Sequence, residues 1–203
     1  DIDGLVTIRG EGTSTLGEAV VEISVANTNL LAEVVVNTEP KKIRDDFVIS
    51  GPDDILELQQ LGGPHYELAG SLFIGGATFP ALSGLAGLRS LGGDLVITLN
   101  PELINLSGID SLRYIGGSLS IESNSSLQSL DGIKALQFVG GYVSITDNPT
   151  LSNIDGLSLL KSIGTLIPDR AFIWFLRNEN LSKDPIRLFI RRMETLGFKG
   201  SSS

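Results

Sequence analysis

Apolar and polar positions recur with a 24-residue step between Leu91 and Gly164. Leu91-Gly92-Gly93 returns as Ile115-Gly116-Gly117, as Val139-Gly140-Gly141 and as Ile163-Gly164. Asn100, Asn124 and Asn148 keep the same step, and so do Gly84, Gly108, Gly132 and Gly156. A fixed internal period of this length marks stacked units, each burying an apolar face on its neighbours. Within a unit, a Gly-Gly turn leads into an alternating stretch such as Leu95-Val96-Ile97-Thr98-Leu99. That alternation predicts one short strand per unit, and stacking the strands makes a parallel sheet. Leu95 and Ile97, Leu119 and Ile121, and Val143 and Ile145 are predicted to point inward. The Asn column is predicted inward as well, bonding main-chain groups, because a buried amide needs partners and Asn supplies both donor and acceptor.

The flanks carry other patterns. Leu5–Arg9, Val21-Glu22-Ile23-Ser24-Val25 and Leu30–Val36 alternate as strands, the last two forming a hairpin around Asn27-Thr28-Asn29. Residues 1–45 are read as a small β segment or an N-terminal cap, and residues 46–203 as the repeat region. Phe47-Val48-Ile49 is a short strand. Ser50-Gly51-Pro52-Asp53-Asp54 is a helix start, with a capping residue, an early proline and acids where the helix dipole favours them. Gly62-Gly63-Pro64 ends that helix, and His65 follows in a surface turn. The last unit is irregular: Asn178-Glu179-Asn180-Leu181 arrives six residues late. The insertion, which includes Ile167-Pro168-Asp169-Arg170, is predicted to loop out at the sheet edge. From Pro185, Ile186, Phe189, Ile190 and Met193 fall at helical spacing, with Arg187, Arg191 and Arg192 on the other side. This predicts a C-terminal capping helix, followed by a frayed tail at Ser201-Ser202-Ser203.

Composition removes several classes of function. The chain has no Cys and one His, which excludes thiol chemistry and a multi-His metal centre. No metal or cofactor is expected. The net charge of -9 argues against a nucleic-acid partner. It is uneven: residues 165–203 hold seven Lys/Arg and four Asp/Glu, for +3, leaving -12 elsewhere. No apolar run approaches the ~18 residues of a membrane span. Gly-Gly pairs here follow the repeat and are not phosphate loops. No nucleophile–base pair is assembled, and Glu122 and Asp147 occupy different strand positions, so no catalytic residue is assigned.

The outward columns hold what does not repeat. One reads Phe73, Val96, Ser120, Ser144, Trp174, the next Gly75, Thr98, Glu122, Thr146, Leu176, and a third Ser71, Asp94, Ser118, Tyr142. On this mostly small and polar face, Phe73, Glu122, Tyr142 and Trp174 are the candidate ligand-binding residues. Exposed aromatics anchor proteins or stack on sugars. The opposing reading has Phe73 and Trp174 covered by the terminal elements or the insertion.

Gly117-Ser118-Leu119-Ser120-Ile121-Glu122-Ser123-Asn124, continued by Leu127, Leu130, Gly132 and Ile133, resembles the receptor L-domain pattern, in the leucine-rich-repeat-like form common in secreted bacterial proteins. The resemblance covers roughly residues 46–200. It implies a mainly β fold: a short right-handed β-helix or leucine-rich-repeat-like solenoid of ~24-residue repeats, capped by helices at both ends and preceded by the small N-terminal β segment. Its better-known members are ligand-binding ectodomains of growth-factor receptors; those carry disulfides and this chain has none, so their ligands are not carried over. The implied function is a non-enzymatic, secreted or cell-surface recognition or adhesion module, lipid-anchored in one version, binding an unknown protein or glycan through the sheet face. Two alternatives stay open: a structural spacer of a bacterial envelope protein, and a carbohydrate-active enzyme with an unrecognised site. The oligomeric state is not specified by any of these features.

Overall fold

The computed structural model describes residues 19–24, 31–36, 40–76, 78–164 and 171–202. The chain divides into two compact units, Asp1–Glu39 and Pro40–Ser203. In the first, β1 (Ala19–Ser24) and β2 (Leu31–Val36) pair antiparallel, from Ala19 opposite Val36 to Ser24 opposite Leu31. The Leu5–Arg9 strand and the Asn27-Thr28-Asn29 turn expected from sequence lie outside the described residues.

The second unit opens with β3 (Lys41–Ile43), β4 (Phe47–Ile49) and α1 (Pro52–Gly62). Strands then follow in sequence: β5 (Tyr66–Leu68), β6 (Leu72–Gly75), β7 (Leu88–Leu91), β8 (Leu95–Thr98), β9 (Tyr114–Ile115), β10 (Leu119–Glu122), β11 (Phe138–Val139), β12 (Val143–Thr146), β13 (Ser162–Ile163) and β14 (Phe172–Leu176). The chain closes with α2 (Lys183–Thr195) and β15 (Ser201–Ser202). Strands alternate between two parallel sheets, one ordered β4-β6-β8-β10-β12-β14-β15 and the other β3-β5-β7-β9-β11-β13.

This corrects the expectation of a mainly β, leucine-rich-repeat-like solenoid. The fold is α/β, with parallel sheets of seven and six strands and two α-helices among the described residues. The repeat pattern predicts one strand per unit, and each unit holds two. The missed strand lies just before the Gly-Gly turn, as Tyr114–Ile115 and Phe138–Val139. Two residues carry no measurable alternation, so their pairing with neighbouring units leaves no periodic trace. Lys41–Ile43, which the sequence groups with the N-terminal segment, pairs with Tyr66–Leu68.

The space between the sheets is aliphatic. Leu95, Ile97, Leu119, Ile121 and Ile145 from the larger sheet and Leu91, Ile115 and Val139 from the smaller are all fully buried. Leu103, Leu127 and Leu151, with Leu112, Leu136 and Leu160, close the sides of the same core. From β8 to β12 the register keeps the 24-residue step, with Leu119 beside Leu95 and Val143. Close contact between units also fixes the recurrent glycines. At Gly132, φ is 112° and a methyl group would overlap the Leu106 carbonyl oxygen; at Gly108 the same holds against Leu82.

A buried polar ladder runs beside this core. The Asn124 Oδ1 accepts from the Asn100 main-chain N–H at 3.1 Å and from Asn100 Nδ2 at 2.9 Å. The Asn148 Oδ1 serves Asn124 in the same way, and the Asn178 Oδ1 serves Asn148. Each Nδ2 also donates to a strand carbonyl of an adjacent unit, as from Asn124 to Ile97 at 3.1 Å. Asn178 therefore takes the ladder position despite its late arrival in sequence.

The helices close the core. Asp54 caps α1 by accepting from the Ser50 and Gly51 N–H groups at 2.8 and 2.9 Å, and these bonds hold its carboxyl below the usual carboxylate range. Ile55 and Leu58 face inward. In α2, Phe189 and Met193 are buried, and Phe189 meets Phe175 edge to face at 5.8 Å. Arg192 departs from the expected polar side. Its guanidinium turns inward to the carbonyls of Leu157 at 2.6 Å, Leu160 at 3.3 Å, and Ser158. The frayed tail is also corrected: Ser201 and Ser202 pair in parallel with Phe172 and Ile173, an edge contact made by the main chain alone.

Candidate functional site

The outward columns of the larger sheet hold in register. Phe73, Val96, Ser120, Ser144 and Trp174 stand opposite one another on β6, β8, β10, β12 and β14, as do Gly75, Thr98, Glu122, Thr146 and Leu176. Phe73 and Trp174 are each 37% exposed. They are four strands apart, about 19 Å at the usual spacing, so they cannot form one patch. Tyr142 and Trp174 do belong together, through a residue that sequence reasoning missed. Phe172 stacks on Tyr142 with ring centroids 4.6 Å apart and on Trp174 at 3.9 Å. Two stacked neighbours occupy both faces of Phe172, leaving the outer faces of Tyr142 and Trp174 at the ends of a three-ring row. The third column as read from sequence stops at Tyr142; two residues before Trp174 on the same strand, Phe172 continues it.

The third column has a structural use up to this row. The Asp46 Oδ1 accepts from the Ser71 N–H at 2.6 Å, Ser71 Oγ from the Asp94 N–H at 3.0 Å, and Asp94 Oδ1 from the Ser118 N–H at 2.7 Å. Ser118 Oγ then accepts from the Tyr142 N–H at 3.2 Å. Each side chain thus holds the start of the next strand, and the series gives way to aromatics at Tyr142. Burial, with Asp94 and Glu122 nearby, raises the Tyr142 phenol above its usual range. The row therefore stays neutral at physiological pH, with acids on one flank. Glu122 sits at that flank, and its Oε1 accepts from Ser120 Oγ at 2.6 Å.

Ser120, Ser144 and Thr146 point outward yet are buried between taller neighbours. Asp147 is engaged by Arg177 through Nε and, at 2.6 Å, Nη2, and this partner holds its carboxyl below the usual range. With Ser123, Ser125, Pro149 and Glu179 the pair borders an open depression of about 320 Å³. The insertion expected to cover Trp174 lies outside the described residues. Among the described residues, no cluster of three His, Cys, Asp or Glu side chains could hold a metal ion. None of their helices is long and apolar enough to cross a membrane. Compared with family models, with curated proteins and with solved structures, the chain matches none of them.

Proposed function

We propose that the chain is a non-enzymatic recognition module, secreted or at a cell surface, which binds a protein or glycan through the outward face of the seven-stranded sheet. The observation that carries this reading is the Tyr142–Phe172–Trp174 row. It sets apolar ring surface, with an acidic flank, beside the small side chains Ser120, Ser144 and Thr146 of the same face. Such rigid aromatic area adds contact at low entropic cost. The likeness of the repeat to receptor L-domains supports the same class and location. A non-catalytic role is supported by the acids themselves: Glu122 is tied to Ser120 and Asp147 to Arg177.

One observation favours the spacer alternative. Ser120, Ser144 and Thr146 are buried, so the centre of the face offers a ligand few polar groups. A glycan array and a pull-down with the intact chain separate the readings. The recognition module gives hits that Trp174→Ala and Tyr142→Ala abolish. Hits that survive both substitutions remove this face from consideration, and an absence of hits favours the spacer. Turnover of a polysaccharide would overturn the non-enzymatic reading.

A further inference from the structure

The smaller sheet carries a second, chemically different surface. Residues 70–164 contain four lysines and arginines against seven acids. Three of the four cations, Arg89, Arg113 and Lys161, fall in one column at the 24-residue step, with Gln137 completing it. Consecutive main-chain bonds join the column: Arg113 N–H to Arg89 at 2.9 Å, Gln137 to Arg113 at 2.9 Å, and Lys161 to Gln137 at 2.8 Å. The fourth cation, Lys134, is taken by Asp131 at 2.7 Å and lies in the field of Asp155 and Asp110. Among the described residues, Arg89, Arg113 and Lys161 form no ion pair. Arg89 sits at the register shift between β5 and β7, the kind of irregularity that re-aims a side chain.

Next to the cations stand Tyr114 and Phe138, stacked at 4.6 Å with planes 2° apart. Their row continues as Ser90 on one side and Ser162 on the other. Unlike Phe172, each ring therefore has a small neighbour beyond its outer face. Tyr114, Arg113 and Lys161 are exposed.

We infer that the outer surface of the six-stranded sheet binds an acidic polysaccharide, its carboxylates on Arg89, Arg113 and Lys161 and its sugar rings against Tyr114 and Phe138. The stripe's charge is opposite to that of the rest of the protein, so it selects an anionic partner locally while the net charge of -9 disfavours densely charged nucleic acid. Guanidinium forks match carboxylates, and units about 4.8 Å apart repeat at a distance of the order of one sugar ring. This surface is separate from the Tyr142–Phe172–Trp174 face, and its success or failure is independent of the function proposed there.

Calorimetric titration of the intact chain with polygalacturonate, with dextran as the neutral control, tests the inference. Polygalacturonate is expected to bind and dextran not to, with affinity falling as salt is raised. The exposed pair Arg113→Gln and Lys161→Gln is expected to weaken binding about tenfold or more, as loss of charged contacts does. Lys183→Gln with Lys199→Gln, the same charge change elsewhere, leaves it intact. No binding, equal binding of dextran, insensitivity to salt, or an unchanged Arg113/Lys161 variant each overturns the inference. So does tighter binding of oligothymidylate than of polygalacturonate, which would reassign the stripe to nucleic acid.

Discussion

Asn124 and Arg192 both bond main-chain groups at the side of the core, and they do so from opposite situations. Asn124 lies in the middle of the stack, where each unit has a copy of itself on either side. Its amide serves the unit before it and is served by the unit after it. Arg192 lies where the copies stop, since β13 is the last strand of its sheet. There the carbonyls of Leu157, Ser158 and Leu160 are met by a side chain more than 30 residues away, on a helix. In the middle, repetition lets one residue type solve the same problem each time. At the end the solution has to come from a different element, and it follows no period.

The contrast can be broken at its strong point first. Asn124→Ala removes the acceptor of the buried Asn100 N–H and Nδ2 and the amide donor to the Ile97 carbonyl and Asn148 Oδ1. At 1–3 kcal/mol per orphaned group, it is expected to cost about 3–5 kcal/mol, read as a lower denaturant midpoint. Arg192→Ala is expected to cost less, about 2–3 kcal/mol, because water reaches part of that end. A cost there equal to or above that of Asn124→Ala would show the end cap to be the weaker link of the stack.

The entry end supplies the smallest effect and the opposite sign. Tyr66 is fully buried, and its hydroxyl has no partner among the described residues. Tyr66→Phe is expected to raise stability by about 1 kcal/mol. Burial also pushes this phenol's pKa above its unfolded value. The unfolded chain then loses the proton first, so stability is full below pH of about 10 and falls as pH rises beyond it. The Phe variant should lose that part of the alkaline fall; a superimposable pH profile for the two proteins would mean the hydroxyl is solvated.

What the sequence revealed divides along the same line. The outward columns of the larger sheet were readable because strands of four or five residues alternate and the asparagines mark their register. The smaller sheet was not, because Tyr114–Ile115 and Phe138–Val139 are too short to show a period. Phe172 lies just before the strand positions that the columns use, in a column that the sequence leaves at Tyr142. Arg192 was assigned to the polar side of α2 because helical spacing gives a residue's angular position but not the reach of a long side chain. The pairing of Ser201–Ser202 uses only main-chain groups, so side-chain identity carries no sign of it. In the candidate site, Tyr142 and Trp174 were found from alternation alone, whereas Phe73 was grouped with them only because sequence columns carry no distance.

The asparagine ladder also has a direction. Every Oδ1 accepts from the unit before it, so each unit turns its amide acceptor to one neighbour and its asparagine main-chain N–H to the other. A tandem duplication of residues 117–140 would therefore meet matching partners on both sides, and the stack would lengthen by one strand spacing, about 4.8 Å. Extra residues within a unit leave the ladder intact, as the 30-residue step from Asn148 to Asn178 shows. The length of this molecule is in that sense a digital quantity, open to change by whole units and closed to anything between.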